Sequence, residues 1–111
     1  MKHESNLVSN TPHSFRGGTH EIYKFSNGYG ASVVCNEFSY GGKEGLFELA
    51  VVGFARHTNN FEIRYDTRIT NDVLGYLTEE EVEQTLDKIK NLDYQGRSRA
   101  AKLQRIKRNK K

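Results

Sequence analysis

From residue 20 to residue 66, apolar and polar positions alternate along four short runs. HEIYKF (20–25) sets Tyr23 and Phe25 on one face and Ile22 and Lys24 on the other, the two-residue period of a strand. Asn27-Gly28 follows, a pair suited to a two-residue hairpin turn, where both central residues need positive φ. The returning run YGASVVCNE alternates Val33 and Cys35 against Ser32 and Val34. FSYGGKEG then places three glycines among the five residues from Gly41 to Gly45 and reads as a glycine-rich connecting turn. LFELAVVGF is the most apolar run, with Phe47, Leu49 and Val51 on one face, and is expected to form a central buried strand. After the turn ARHTNN, NFEIRYD alternates again, with Phe61, Ile63 and Tyr65 expected inward and Glu62, Arg64 and Asp66 outward. Four strands with short links predict an antiparallel meander with one wet face.

Past Thr67 the period changes. RITNDVLGYL has apolar residues without regular spacing and predicts a loop with a helical turn packed on the sheet. LTEEEVEQTLDKIKNL then carries the clearest helix signature in the chain. Thr78 as N-cap and Glu81 three residues on make a capping box, and Leu77 and Val82 flank it as a hydrophobic staple. Glu79, Glu80 and Glu81 stand at the positive end of the helix dipole, and Lys88 and Lys90 near the negative end. Val82, Leu86, Ile89 and Leu92 recur at helical spacing. A helix of this length is marginal alone, so its stripe is expected to cover the apolar face of the sheet, and Gly96 to end it. Residues 1–19 show neither period and are expected to be a flexible arm. The predicted fold class is therefore α+β: a four-stranded antiparallel meander covered by one C-terminal amphipathic helix, with a basic tail. The expected divisions are an arm at 1–19, a domain at 20–95 and the tail at 96–111.

Charge changes the picture. The chain has 111 residues, the size of one domain, and a net charge of +3. That small value hides a split. Residues 1–95 carry 9 basic and 14 acidic residues, whereas residues 96–111 carry 8 basic and none acidic. Such asymmetry points to a polyanion or an acidic surface as partner. Arg97, Arg99, Lys102, Arg105, Lys107, Arg108, Lys110 and Lys111 can each meet a phosphate, and arginine adds bidentate contact and base stacking. Phosphate contacts position a protein without reading sequence. Basic tails also serve ribosome docking, attraction to membrane surfaces and nuclear import. This one is not clearly amphipathic and lacks a lipidation motif, so no membrane partner is expected.

The remaining residues offer little chemistry. Cys35 is the single cysteine, which excludes an internal disulfide and favours a reducing compartment. No apolar run follows Lys2 and none approaches membrane-spanning length, so neither a secretory signal nor a span is expected. His20, Cys35, Lys43 and His57 would have to converge in the fold to serve catalysis, and no spacing suggests zinc. The segment around Lys43 lacks the spacing of a phosphate-binding loop. The expectation is a protein that is not an enzyme and carries no cofactor or metal.

Three stretches, YKFSNGYGASVV, YGGKEGLFELAVV and YDTRITNDVLGYLTEEEVEQTLDKIKNL, resemble a set of small uncharacterised proteins encoded by tailed bacteriophages. The resemblance covers roughly residues 23–92 and leaves out the arm and the tail. It implies a phage product acting in the cytoplasm of a host bacterium, and it carries over no catalytic residue.

Two functions remain open at this point. In the first, the protein contacts nucleic acid or a host nucleoprotein through its tail. In the second, it is an inhibitor or adaptor of one host protein, binding through the sheet and its loops. The candidate contacts for the second are Tyr29, Tyr40, Gly41, Gly42, Lys43 and His57. An open edge strand also permits homodimerisation or the addition of a partner strand.

Overall fold

A computed structural model describes residues 3, 6–12, 18–70 and 72–93. It is an α+β fold: one six-stranded antiparallel sheet and one C-terminal helix. The strands are β1 (Leu7–Pro12), β2 (Thr19–Lys24), β3 (Tyr29–Cys35), β4 (Phe47–Phe54), β5 (Phe61–Ile63) and β6 (Leu74–Leu77). The helix α1 spans Glu79–Lys90. The path through the sheet is β1-β2-β3-β4-β5, with β6 also paired to β4. The basic residues of the tail lie outside the described residues, as do residues 13–17 of the expected arm.

The face of β2, β3 and β4 expected inward is buried, but the opposite face is not the expected wet one, since Ile22, Val52 and Phe54 form a second buried cluster there. Tyr23, Phe25, Ala31, Val33, Leu49 and Val51 are buried in one cluster with Val82, Leu86 and Ile89 of α1. Phe47, Leu77 and Leu92 pack at its margin. The capping box is complete: Glu81 N–H donates to Thr78 Oγ1 at 3.2 Å and Thr78 N–H donates to Glu81 Oε1 at 2.9 Å. The helix stops at Lys90 rather than at the expected Gly96, because Asn91 caps it with its backbone N–H and its side-chain amide, both directed at Asp87 O.

Four expectations about the sheet are corrected. The sheet has six strands rather than four. Residues 7–12, expected in a flexible arm, form β1 and pair with β2 from Leu7↔Tyr23 to Pro12↔Thr19, with a register shift between Leu7 and Ser9. Pairing here is made by backbone groups, which composition does not report. Residues 74–77, expected as a loop, form β6 on the outer edge of β4, with Phe47↔Leu77 and Leu49↔Leu74 in register. Finally, β5 has no covered face: all three of its residues are exposed, Glu62 as expected but Phe61 and Ile63 against expectation. Phe61 pairs with Phe54 and Ile63 with Val52, so both share the face turned away from α1 and both are exposed. Arg64 instead is buried. A period of two assigns residues to two faces but cannot say which is inward. The helix packs on β3, β4 and β6, and β5 lies beyond that footprint.

Arg64 is held by Asp66, with Nε donating to Oδ1 at 3.1 Å and Nη2 to Oδ2 at 2.8 Å. That hydrogen bond raises the arginine pKa further, against the lowering effect of burial, so the guanidinium stays charged. On the same side of the sheet, His3 Nε2 lies 3.0 Å from Asp87 Oδ1, close enough for an ion pair but without hydrogen-bond alignment. Its ring meets Phe25 edge-on at 5.7 Å.

The first hairpin forms, but not with the expected two-residue turn. Phe25 N–H donates to Tyr29 O and Gly28 N–H to Phe25 O, which leaves a three-residue loop closed by Gly28 at φ 88°. Three-residue hairpin loops place a left-handed residue, best supplied by glycine, at their end. Asn27, expected to supply a turn conformation, is buried and acts through its side chain. Its Nδ2 reaches Ile89 O at 2.9 Å, Lys90 O at 3.2 Å and Leu92 O at 2.9 Å, and its Oδ1 accepts from Tyr29 N–H at 3.0 Å. One side chain therefore ties the first hairpin to the carbonyl end of α1.

Candidate interaction surface

The connection between β3 and β4 is tied down at both ends. Asn36 Oδ1 accepts from the backbone N–H groups of Phe38 and Ser39 at 2.8 and 2.9 Å. Ser39 Oγ accepts from Asn36 N–H and donates to Asn36 O, both at 2.9 Å. These short polar side chains replace the missing ladder bonds. A 3₁₀ turn, Gly42–Glu44, follows, and Leu46 N–H closes it onto Gly41 O at 2.9 Å.

The connection also grips β6. Tyr40 N–H donates to Glu48 Oε1 at 2.9 Å, and Tyr76 N–H donates to Tyr40 O at 3.1 Å. A Cβ on Gly75 would stand 2.6 Å from Tyr40 Cβ, and one on Gly41 would stand 2.9 Å from Tyr76 Cα. Glycine at both positions is what lets the two tyrosine-bearing segments touch. Tyr76 has φ 57°, a left-handed conformation uncommon for an aromatic residue. The result is an outward-facing group in which Tyr40 is 59%, Tyr76 58% and Phe38 72% exposed.

The structure divides the candidate contact residues. Tyr40 and Lys43 are exposed on this surface. Gly41 is buried and Gly42 half-buried, so their part is to allow close packing rather than to touch a partner. Tyr29, expected as an exposed aromatic, is buried in the main core because its β3 position faces α1. His57 is exposed with φ 61° in the turn after β4. It lies beyond Phe54, at the opposite end of the strand from Glu48, which at one strand rise per residue is about 20 Å or more from Tyr40. Tyr76 and Phe38 complete the group and were not picked out by sequence reasoning. Gly75 inside an apolar run was the available signal, since glycine in a strand marks a bulge or a close backbone approach.

The charge of this surface is acidic. Lys43 is accompanied by Glu37 and Glu44, both exposed, and by half-buried Glu48. The carboxylates outnumber the one lysine, so the local potential is negative and repels phosphate. Of the residues considered for catalysis, His57 stands apart from the others. His20 Nε2 lies 2.8 Å from Ser32 Oγ, Cys35 Sγ is 3.9 Å from Gly42 O, and Lys43 and His57 flank opposite ends of β4. Among the described residues no helix is long and apolar enough to cross a membrane. Compared with family models, curated proteins and solved structures, the chain matches none.

Proposed function

We propose that this chain is a small phage-encoded binding protein, without enzymatic activity, that contacts nucleic acid or a host nucleoprotein through residues 96–111 in the host cytoplasm. The observation that carries this reading is the segregation of charge: 8 basic residues and no acid in the last 16 positions, against 9 basic and 14 acidic residues before them. The three glutamates of the first helical turn are accounted for by α1 itself, with Glu81 in the capping box and Glu79 and Glu80 at the positive end of the dipole. Engaging about four to six phosphates on duplex DNA would give a slope of log K against log salt of roughly −4 to −5. Deleting residues 96–111 is expected to weaken binding to generic DNA and RNA at low salt at least about tenfold and to flatten that slope. Equal binding by the truncated and intact chains would overturn the reading.

A second reading, an inhibitor or adaptor of a host protein, is favoured by the paired exposure of Tyr40 and Tyr76 on a surface whose charge repels phosphate. Exposed tyrosines held on a tied backbone are efficient interface anchors, because little side-chain freedom is lost on contact. A tagged chain recovered from host lysate should then carry a stoichiometric partner that survives nuclease, and Y40A/Y76A should lose it. Nuclease-sensitive recovery alone would leave the tail as the only binding element and reject this reading.

A further inference from the structure

β5 and β6 occupy one edge of β4 and run in the same direction. Arg64 N–H still donates to Val51 O at 2.8 Å, and Leu74 is already opposite Leu49. Residues 65–70 and 72–73 therefore leave the edge between two nearly adjacent ladder positions. An uninterrupted strand could have crossed the same gap, and a long excursion from a regular edge is a common place for a binding function.

This excursion builds a wall. Its base is pinned by the Arg64–Asp66 pair. Ile69 N–H donates to Thr67 Oγ1 at 3.3 Å, Asp72 N–H to Thr70 Oγ1 at 3.0 Å, and Val73 N–H to Asp72 Oδ1 at 2.8 Å. Between the wall and α1 lies a cavity of about 370 Å³, lined among the described residues by Arg68, Ile69, Leu74, Thr85 and Lys88. That volume is within the range of small-molecule sites.

The lining has two chemically distinct parts. Ile69 and Leu74 are half-buried and apolar. Arg68 and Lys88 are cationic, and among the described residues neither side chain has an ion pair or hydrogen bond. The Thr85 hydroxyl donates to Glu81 O at 2.8 Å, which leaves its oxygen lone pairs to accept. Two unpaired cations on one cavity stand out in residues 1–95, where acids outnumber bases 14 to 9.

We propose that this cavity binds a small organic acid: a carboxylate between Arg68 and Lys88, with a short apolar body against Ile69 and Leu74. Arginine suits a carboxylate because its planar fork donates two parallel hydrogen bonds, and lysine adds a second charge without fixed geometry. The apolar body removes the two half-exposed side chains from water. This site is separate from the tail and from the Tyr40–Tyr76 surface.

Hexanoate is a suitable probe, titrated into the ¹⁵N-labelled full chain. Saturable amide shifts at Ile69, Leu74, Thr85 and Lys88 are expected within about 20 mM ligand, the range for a weak fragment. Hexylammonium, with the same apolar body and the opposite charge, should produce none. Inorganic phosphate should bind at least about tenfold more weakly than hexanoate, because it lacks the apolar body. R68Q/K88Q changes exposed side chains only and should weaken hexanoate at least about tenfold while leaving distant amides unmoved. The proposal is overturned if hexanoate gives no saturable shifts at the cavity, if hexylammonium or phosphate matches it, or if the folded double variant binds as the parent does. Should that variant misfold, the three-ligand comparison on the parent chain decides alone.

Discussion

Asn27→Ala is expected to lower the free energy of unfolding by about 2 kcal/mol, a large effect for one polar side chain beside a hairpin turn. The argument is one of polar groups left without partners. Asn27 is 7% exposed and makes four contacts: its amide nitrogen serves three carbonyls at the end of α1, and its oxygen serves Tyr29 N–H. The last carbonyls of a helix have no partner within the helix. Alanine would leave Tyr29 N–H without its acceptor inside the protein, at about 1–3 kcal/mol for a buried group, whereas Ile89 O would lose one donor and keep Leu92 N–H at 3.1 Å. Water can reach the Lys90 and Leu92 carbonyls, which limits the total. Asn27→Asp sharpens the test. The carboxylate keeps an acceptor for Tyr29 N–H but has no donor for the helix and adds negative charge at the negative end of its dipole, so it should be no better than alanine. Urea unfolding monitored by circular dichroism gives the values, with Ser26→Ala, in the same loop and exposed, as a control expected within about 0.5 kcal/mol of the parent. A loss below about 1 kcal/mol for Asn27→Ala would mean that the clamp contributes no more than an ordinary hydrogen bond.

Leu86→Ala is expected to cost about 3–4 kcal/mol. Leu86 is fully buried at the middle of α1, in the cluster that joins the helix to Leu49 and Val51 of β4 and Val33 of β3. Removing most of a buried leucine loses its transfer free energy and leaves a cavity, together about 2–5 kcal/mol depending on how far the site collapses. Collapse is restricted here, because the facing residues belong to a sheet whose register is set by three consecutive antiparallel pairings. The helix is 12 residues long and would be marginal without that contact, so most of its stability comes from this face. Gln84→Ala, on the exposed side of the same helix, should be close to neutral because alanine is the better helix former. If Leu86→Ala and Gln84→Ala were equally mild, the helix would not be the lid of the core.

These two predictions also show what was legible beforehand. The stripe of Val82, Leu86 and Ile89 and the Thr78–Glu81 capping box are periodic or local features, and their spacing alone specifies their role. The importance of Asn27 was not visible in the same way. Asn-Gly is a strong local turn signal, and it drew attention to backbone conformation when the side chain was making contacts 62 to 65 residues away. The Tyr40–Tyr76 surface was half legible. The glycine-rich segment marked one side of it, but the partner segment around Gly75 lies on a strand that sequence had assigned to a loop. Tyr29 was misplaced for a related reason: aromatic residues favour strands on either face, and only packing against α1 decides the side.

By itself, the sequence determined the three central strands, the amphipathic helix with its caps, the α+β class and the separation of an acidic body from a basic end. Each of these depends on spacing or on summed charge, which are properties of the chain before it folds. Only the tertiary structure decided that residues 7–12 and 74–77 join the sheet, that β5 stays exposed, and where Asn27 and Tyr76 direct their chemistry. Those outcomes rest on backbone hydrogen bonds and contacts between distant segments, which no local pattern of residue types encodes.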